Sequence, residues 1–228
     1  MLSVIIPVLN EAATIRASLL ALQGMRAAGH EIILADGGST DGTLDLGREL
    51  ADAQVEAPRG RANQMNAGAA IAHGEVLLFL HADTALPAGA ADMIDQSLAS
   101  TGKSWGRFNV HIGGSSQWFA MIAFMINWRS RLTGIATGDQ AIFVRRELFE
   151  KSNGYAQFPL MEDIDLCTRL KRISRPVCLR ACVTTSGRRW EAHGVWRTIA
   201  LMWWLRMRYF LGASPETLAR SYYRGDGK

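Results

Sequence analysis

The sequence of 228 residues has few cysteines and no long uninterrupted apolar run. Its three cysteines, Cys167, Cys178 and Cys182, are too few for a disulfide framework, and they lack the second pair that completes a zinc site. We therefore expect reduced cysteines in a cytoplasmic protein. The longest apolar stretches, 118–126 and 199–205, fall well short of the roughly 20 residues that cross a bilayer. We expect no transmembrane helix and no signal peptide, although peripheral contact with a membrane remains open.

Acidic residues are scarce near the end of the chain. Residues 169–228 contain 13 Lys/Arg and 3 Asp/Glu, a net charge of +10, whereas residues 1–168 contain 12 and 18, a net charge of −6. A basic part of this kind suits a nucleic acid, an acidic membrane or a phosphorylated small molecule, and it can also be an ordinary solvated face. No groove-reading motif accompanies the basic residues, so we expect no nucleic-acid partner.

The first apolar run, "SVIIPVL", is not followed by Gly-x-Gly-x-x-Gly, which excludes a dinucleotide-binding Rossmann domain. Short β-branched runs instead alternate with helical patterns over the first 100 residues. This alternation predicts an α/β fold with a Rossmann-like, mostly parallel sheet flanked by helices. The later patterns predict strands at 105–112 and 138–144, helices at 116–132 and 162–173, and a basic aromatic helix at about 191–211. We expect one continuous domain, 1–228.

Two positions suit a bound nucleotide. Asp36 can accept hydrogen bonds from a base N–H or from ribose hydroxyls, and Arg61 can pair with phosphates. Asp36 ends the second predicted strand, in the crevice where open α/β sheets bind ligands, and Gly37 lets a ligand lie against the backbone. Arg61 begins a predicted helix, where an arginine either pairs with phosphates or lies on an exposed turn; we favour the phosphate interpretation.

Four segments in this order, "PVLNE", "ADGGSTDGT", "RANQMNAGAA" and "LHADT", resemble the inverting family 2 glycosyltransferases, which have the GT-A fold. The resemblance implies a nucleotide-binding half at 1–100 and an acceptor half at 101–228. It implies that Pro7, Asn10 and Glu11 surround the uridine of a UDP-sugar and that Asp36 contacts the base or ribose. Gly37 stands where the family often has a second acid, which leaves more of this recognition to Asp36.

The segment "HAD" departs from the Asp-x-Asp of the family, because its first acid is His81. The resemblance assigns the metal to Asp83, as a ligand of Mg²⁺ or Mn²⁺ that neutralises the leaving UDP. His81 is then either a hydrogen-bond partner of ribose or phosphate or a satisfied core histidine. One carboxylate together with two phosphates can still hold Mg²⁺, so we expect a metal dependence that is weaker than usual.

The second half has three further groups of candidate residues. In "LMEDIDL", Glu162 and Asp163 match the acidic pair of the family, whose Asp is the catalytic base; helix capping is the alternative. Asp139 and Gln140 are either acceptor contacts or turn residues. Arg188, Arg189 and Trp190 resemble a segment that closes on the donor diphosphate, and they equally fit helix-start charges and a core tryptophan.

A wider set of segments, including "GDQAIFV", "PLMEDIDL" and "TSGRRWE", resembles a short branch of the family that includes the selenosugar synthase of selenoneine biosynthesis. This implies UDP-N-acetylglucosamine as donor and selenophosphate as acceptor, with Arg188 and Arg189, and Arg129 or Arg131, as a cationic clamp. The alternatives are an O-glycosyltransferase acting on a sugar or lipid-phosphate hydroxyl, and an inactive nucleotide-sugar-binding module at a membrane surface. The oligomeric state stays open.

Overall fold

Strands and helices alternate along most of the chain in the computed structural model, which describes residues 1–224 except for the side chains of Arg189, His193, Tyr223 and Arg224. The strands are β1 (Leu2–Val8), β2 (Glu31–Asp36), β3 (Ala53–Glu56), β4 (Val76–Phe79), β5 (Thr84–Ala85), β6 (Trp105–Gly113), β7 (Ile142–Arg145) and β8 (Val177–Ser186). The helices are α1 (Ile15–Ala27), α2 (Thr43–Gly47), α3 (Arg61–Ile71), α4 (Ala90–Thr101), α5 (Phe119–Thr133), α6 (Arg146–Lys151), α7 (Glu162–Ile173), α8 (Arg188–His193), α9 (Val195–Phe210) and α10 (Pro215–Arg224).

The eight strands form a single sheet in the order β3-β2-β1-β4-β7-β6-β8-β5. The pairs β1–β2, β2–β3, β1–β4 and β6–β8 are parallel, while β7 runs antiparallel to both β4 and β6. The sheet therefore continues from the first half of the chain into the second through the β4–β7 pair. The carboxyl ends of β1, β2 and β4 lie at the same edge, where open α/β sheets bind their ligands.

Both faces of the central strands are buried, because side chains alternate between two layers of helices. Ile5 and Ile33 face a core that contains residues of α3 and α7, whereas Val4 and Ile6 face a core that contains residues of α1 and α4. A smaller cluster packs Ile112 at the end of β6 against α5. This two-layer burial explains why the central strands appear in the sequence as continuous apolar runs.

The predicted α/β fold with a mostly parallel sheet is confirmed, and several element boundaries were wrong. The run 138–144 begins as a 3-10 turn, Gly138–Gln140, and Ala141 has a positive φ of 47°, so β7 starts only at Ile142. The long helix expected at about 191–211 is interrupted at Gly194, whose φ is 79°. Strand β8 and helix α10 were not expected. The division into two halves at residue 100 stays a prediction.

Glu31, at the start of β2, is hydrogen-bonded to the start of β1 and to the loop before β4. Glu31 accepts hydrogen bonds from the Ser3 hydroxyl (2.6 Å) and from the backbone N–H of His73 (2.8 Å), and the His73 ring lies 2.8 Å away. Burial raises the pKa of Glu31, but these hydrogen bonds and the charge of His73 outweigh it, and the pKa is lowered overall. Glu31 thereby fixes β1, β2 and the loop before β4 at the edge opposite the predicted ligand site.

Among the residues that the structure describes, no helix combines the length and the hydropathy that crossing a bilayer requires.

Candidate active site

A cleft of about 750 Å³ opens where β1 and β4 end, between the start of α3 and the later helices. It is walled on the far side by Thr198 and Met202 of α9 and by Tyr222 of α10. The cleft collects eight of the residues predicted from the sequence: Pro7, Glu11, Arg61, His81, Asp83, Asp139, Glu162 and Trp190. These residues come from six separate segments of the chain. Their convergence is the main structural observation about function.

Asp36 lies beside the cleft and is buried at the end of β2. One carboxylate oxygen accepts the backbone N–H groups of Gly38 and Ser39, both at 2.9 Å, and the other accepts the Ser39 hydroxyl at 2.5 Å. The carboxylate therefore shapes the turn that follows β2. Since an ionised carboxylate offers about four lone-pair sites, it retains capacity for a ligand hydroxyl. Its contact with a base or ribose stays a prediction.

Asn10 joins the loop after β1 to the turn after β2. Its backbone is left-handed, with φ of 55°, its side-chain oxygen accepts the N–H of Thr40 (2.9 Å), and its own N–H donates to the Ser39 hydroxyl (2.9 Å). The N–H of Glu11 donates to the Thr43 hydroxyl at 2.8 Å. The two loops that the resemblance assigns to the uridine are thus one hydrogen-bonded unit.

Gln64 lines the cleft and was not predicted from the sequence. Its buried side chain lines the cleft from α3, and its amide donates to the carbonyls of Val8 (2.6 Å) and Ala35 (3.0 Å). A Cβ on Gly37 would lie 3.0 Å from the Gln64 Cδ. A side chain at this position would therefore press on Gln64, which would have to shift by a few tenths of an ångström. The signal available in the sequence was a glutamine among the small residues of α3.

His81 is neither exposed nor enclosed by apolar side chains alone. Its side chain is 11% exposed, and its Nδ1 lies 3.3 Å from an Asp139 carboxylate oxygen. A Cβ on Gly138 would lie 2.4 Å from the other ring nitrogen, so only glycine fits there without moving the ring. Burial raises the pKa of Asp139, but the hydrogen bond and charge of His81, together with Arg61 and Arg206, lower it overall. His81 and Asp139 are therefore in direct contact at the cleft.

Asp83 follows β4 and is placed by the short pairing of β5 with β8. In that pair Thr84 lies opposite Thr185, and their hydroxyls are 3.1 Å apart. The same pairing brings the start of α8 beside Asp83, and the Arg188 guanidinium lies 3.9 Å from the Asp83 carboxylate. Across the described part of the chain, no cluster of three or more His, Cys, Asp or Glu side chains is arranged to hold a metal ion. Asp83 is thus a single candidate oxygen ligand beside a cation.

Glu162 and Asp163, the acidic pair at the start of α7, lie in different environments. Glu162 lines the cleft and is buried, which together with the charge of Asp163 raises its pKa to about 7, against the opposing charges of Arg61 and His81. Asp163 accepts the backbone N–H of Gly138 at 3.0 Å and that of Ile164 at 2.7 Å. The cleft therefore presents Glu162, while Asp163 anchors the 3-10 turn. Which of the two acts as a base stays a prediction.

Arg129 of α5 and Arg206 of α9 interact electrostatically with Asp163. Burial and the charge of Arg206 lower the pKa of Arg129 to about 10, and Asp163 works against this shift. Burial also lowers the pKa of Arg206, against the carboxylates of Asp163 and Asp139. Within the described part of the molecule, the Nε and Nη2 atoms of Arg129 are buried without a hydrogen-bond partner. Arg206 was not identified from the sequence, because only the packing of α9 brings it here.

The remaining predicted residues have mixed positions. Gln140 is fully buried, its amide lies 3.4 Å from the Phe108 carbonyl, and its side-chain oxygen accepts the N–H of Thr137 at 3.3 Å, which makes it part of the turn. Trp190 lines the cleft and packs against the small cluster at α5. The side chain of Arg189 lies outside the described residues.

Comparisons with known proteins agree with this architecture. The sequence profile of Glycosyl transferase family 2 matches residues 3–152, about two thirds of the chain. A curated "PGL/p-HBAD biosynthesis glycosyltransferase" of Mycobacterium tuberculosis is 40% identical over 93 residues, which are 38% of this chain and 36% of that relative. The match thus spans little more than a third of the relative's length.

Two solved structures share the fold. The mannosyltransferase PcManGT from Pyrobaculum calidifontis, in complex with GDP-Man and Mn²⁺, aligns with a TM-score of 0.66 and 19% identity, covering 97% of this chain and 68% of its own. S. aureus TarS 1–349, in complex with UDP-GlcNAc, aligns with a TM-score of 0.64 and 18% identity, covering 81% and 58%. At such identities the similarity concerns the fold, whereas the profile match concerns the family. The chain belongs to glycosyltransferase family 2.

Proposed function

We propose that this chain is an inverting glycosyltransferase that uses UDP-N-acetylglucosamine as donor and selenophosphate as acceptor. The observation that supports this most directly is the convergence of Pro7, Glu11, Arg61, His81 and Asp83 on one cleft with Glu162. A nucleoside diphosphate lies against the loops after β1 and β2, and its phosphates reach toward Arg61 and Asp83. This is a single-domain, cytoplasmic enzyme in our proposal.

The donor assignment draws on the neighbours as well as on the cleft. TarS was solved with UDP-GlcNAc, and PcManGT with GDP-Man and Mn²⁺. Asp83 can hold Mg²⁺ or Mn²⁺ through its carboxylate, with the diphosphate and water supplying the other oxygens, and such an ion would stabilise the leaving diphosphate. These oxygen ligands fit a hard cation, and Asp83 is the one protein carboxylate that we assign to it. Arg188, already 3.9 Å from Asp83, supplies a second positive charge near the leaving group.

An anionic acceptor fits the positive charges near Asp163. Arg129 has buried N–H groups without a partner in the described part of the chain, and Arg206 is a second buried cation near Asp163. A bound oxyanion would accept hydrogen bonds from such groups and reduce the repulsion between the two guanidinium ions. The arginines therefore favour an acceptor that carries phosphate-like oxygens.

In the proposed reaction, selenium of selenophosphate attacks the anomeric carbon while the bond from that carbon to the UDP oxygen breaks, with inversion. Water then cleaves the P–Se bond, which releases phosphate and the 1-selenosugar. The nucleophile is already an anion and needs positioning more than deprotonation. Asp163 orients the acceptor or assists the attack of water, and Glu162 adjusts the charge of the cleft.

The alternative is transfer to a sugar or lipid-phosphate hydroxyl, with Asp163 as general base. The relative named for PGL/p-HBAD biosynthesis is also a glycosyltransferase, and its matched segment covers 36% of that protein. Asp163→Asn should abolish transfer to a hydroxyl, and it should reduce transfer to an already ionised acceptor far less. An inactive nucleotide-sugar-binding module is the third candidate.

The test is a product scan with the purified chain. It is incubated with UDP-N-acetylglucosamine, UDP-glucose or GDP-mannose, each with selenophosphate, with a sugar or lipid-phosphate hydroxyl acceptor, or without acceptor, and each with Mn²⁺ or EDTA. Released nucleoside diphosphate is measured together with the mass of the sugar product. Asp83→Asn should reduce turnover, and Asp95→Asn, which removes an exposed carboxylate of α4, is the matched control.

The outcomes separate the candidates. A selenium-containing sugar formed together with UDP supports the proposal. Transfer to a hydroxyl acceptor without reaction of selenophosphate supports the alternative. Donor binding measured by calorimetry without turnover on either acceptor class supports the inactive module.

A further inference from the structure

Helices α5 and α9 each expose a continuous apolar stripe. On α5 the exposed fractions of Phe124, Trp128 and Leu132 are 66%, 55% and 57%, and these positions follow one another at intervals of four residues. On α9 the exposed fractions of Trp196, Trp203 and Met207 are 59%, 60% and 56%. Positions 196, 203 and 207 share one helix face because 7 and 11 residues are close to two and three turns. We call these six residues the apolar surface.

The two stripes meet at their beginnings. The rings of Trp118, directly before α5, and Trp196 are in edge-to-face contact with centroids 5.0 Å apart. On α5 the rings of Phe124 and Trp128 stack at 6.3 Å. The exposed aromatic groups are therefore paired within α5, and the beginnings of α5 and α9 are in aromatic contact.

The packing of the protein does not account for the apolar surface. The inner side of α5 already buries Phe119 and Ile122, and the inner side of α9 buries Thr198 and Leu205. The face of a helix that meets water is normally polar, and monomeric proteins rarely expose large contiguous apolar patches except where they bind a partner. We therefore expect the outer faces of α5 and α9 to bind another molecule.

The charges on these helices identify that occupant. Together α5 and α9 contain five arginines and no Asp, Glu or Lys. Arg131 and Arg197 are exposed, and the Arg208 guanidinium lies 5.2 Å from the ring centre of Trp204. Tryptophan and arginine are the residues that anchor helices at the interface between lipid and water, where the ring meets the acyl boundary and the cation meets anionic headgroups. A second copy of the same face would bring these positive charges together.

We propose that the apolar surface docks on an anionic lipid bilayer, with α5 and α9 lying in the plane of the interface. The inner sides of the same helices contribute Ile126, Thr198 and Met202 to the cleft, so docking places one wall of the cleft against the membrane. This inference is independent of the proposed reaction, since it depends only on the outer faces of the two helices.

The test is flotation of the purified chain with vesicles, without any donor or acceptor. Vesicles of phosphatidylcholine alone are compared with vesicles that contain 30% phosphatidylglycerol. We expect binding to the anionic vesicles that weakens with added salt. The pair Trp128→Gln and Trp203→Gln should reduce vesicle binding about tenfold or more, because each substitution replaces an exposed aromatic ring by a polar amide. Arg197→Gln with Arg208→Gln should reduce binding to the anionic vesicles specifically.

The matched control is the pair Leu20→Gln and Ile173→Gln, which changes exposed apolar residues on α1 and α7. It should leave vesicle binding unchanged, and thermal unfolding should verify that all variants fold. Absence of binding to anionic vesicles, or an equal loss in the control pair, would overturn the proposal. A dimer in light scattering that the Trp128 and Trp203 substitutions dissociate would also overturn it, in favour of a second copy as the occupant.

Discussion

Replacing Glu162 by glutamine should make the protein more stable as the pH rises, relative to the wild type. Burial and the charge of Asp163 raise the pKa of Glu162 from 4.5 to about 7. Between these values the folded protein retains a proton that the unfolded chain has released. The free energy of unfolding of the wild type therefore falls as the pH increases from about 4.5 to about 7, and it becomes level above that range. Glutamine has no proton to lose and removes this dependence.

The size of the effect follows from the shift. One pKa unit corresponds to 1.36 kcal/mol, so a carboxyl moved from 4.5 to about 7 accounts for about 3 kcal/mol at most. Glu162 is only 8% exposed, so solvent screening reduces this value little. We expect the difference in unfolding free energy, Glu162→Gln minus wild type, to increase by up to about 3 kcal/mol between pH 4.5 and pH 8.

The assay is urea denaturation at half-unit pH intervals, with the slope on denaturant checked at each pH. Glu147→Gln removes an exposed carboxylate from α6 and supplies the baseline for a change of one charge. A flat difference for Glu162→Gln, or one that decreases toward alkaline pH, would refute the raised pKa of this buried carboxyl.

Three further changes test other parts of the structure. Glu31→Gln should show the opposite pH dependence, because its hydrogen bonds lower the pKa: the wild type has its advantage above pH 4.5 and loses it as the pH falls, as measured by urea denaturation. Gln64→Leu removes two hydrogen bonds to the carbonyls of Val8 and Ala35 and should cost roughly 1–3 kcal/mol, with the midpoint in urea as the measurement. Gly138→Ala should displace the His81 ring and weaken donor binding in calorimetry, whereas Gly24→Ala, which meets no atom within 4 Å, should not; equal affinities for the two variants would contradict this geometry.

The strands that the sequence predicts well are those buried on both faces. "SVIIPVL" and "EIILAD" are continuous apolar runs, and they became β1 and β2 because helices cover both sides of the sheet. Strand β8 was missed because its pattern, "VCLRACVTTS", mixes arginine and small polar residues on a partly exposed strand. Strand β5 has only two residues, so it has no recognisable period. Its pairing with β8 nevertheless determines where Arg188 lies.

The residues of the candidate site also differ in how well the sequence predicts them. Residues carried by the loops after β1, β2 and β4 could be predicted, because the ends of parallel strands share one edge of a sheet. The roles of residues on α7 and α9 could not, since they depend on which side of each helix meets the cleft. Neighbours in the sequence, Glu162 and Asp163, separate into a cleft acid and an anchor of the 3-10 turn, and Arg206 comes near Asp163 only through the packing of α9.

The histidine at position 81 is best understood together with the residues that the fold brings to it. An aspartate there would face Asp139 across about 3.3 Å, the separation now bridged by the His81 ring nitrogen, and two carboxylates this close repel each other. The histidine removes that repulsion and one negative charge from the region assigned to the diphosphate. Arg188 beside Asp83 adds a positive charge to the same region. Both features reduce the charge that a divalent cation must neutralise, which is the physical basis for expecting that metal accelerates transfer here without being strictly required.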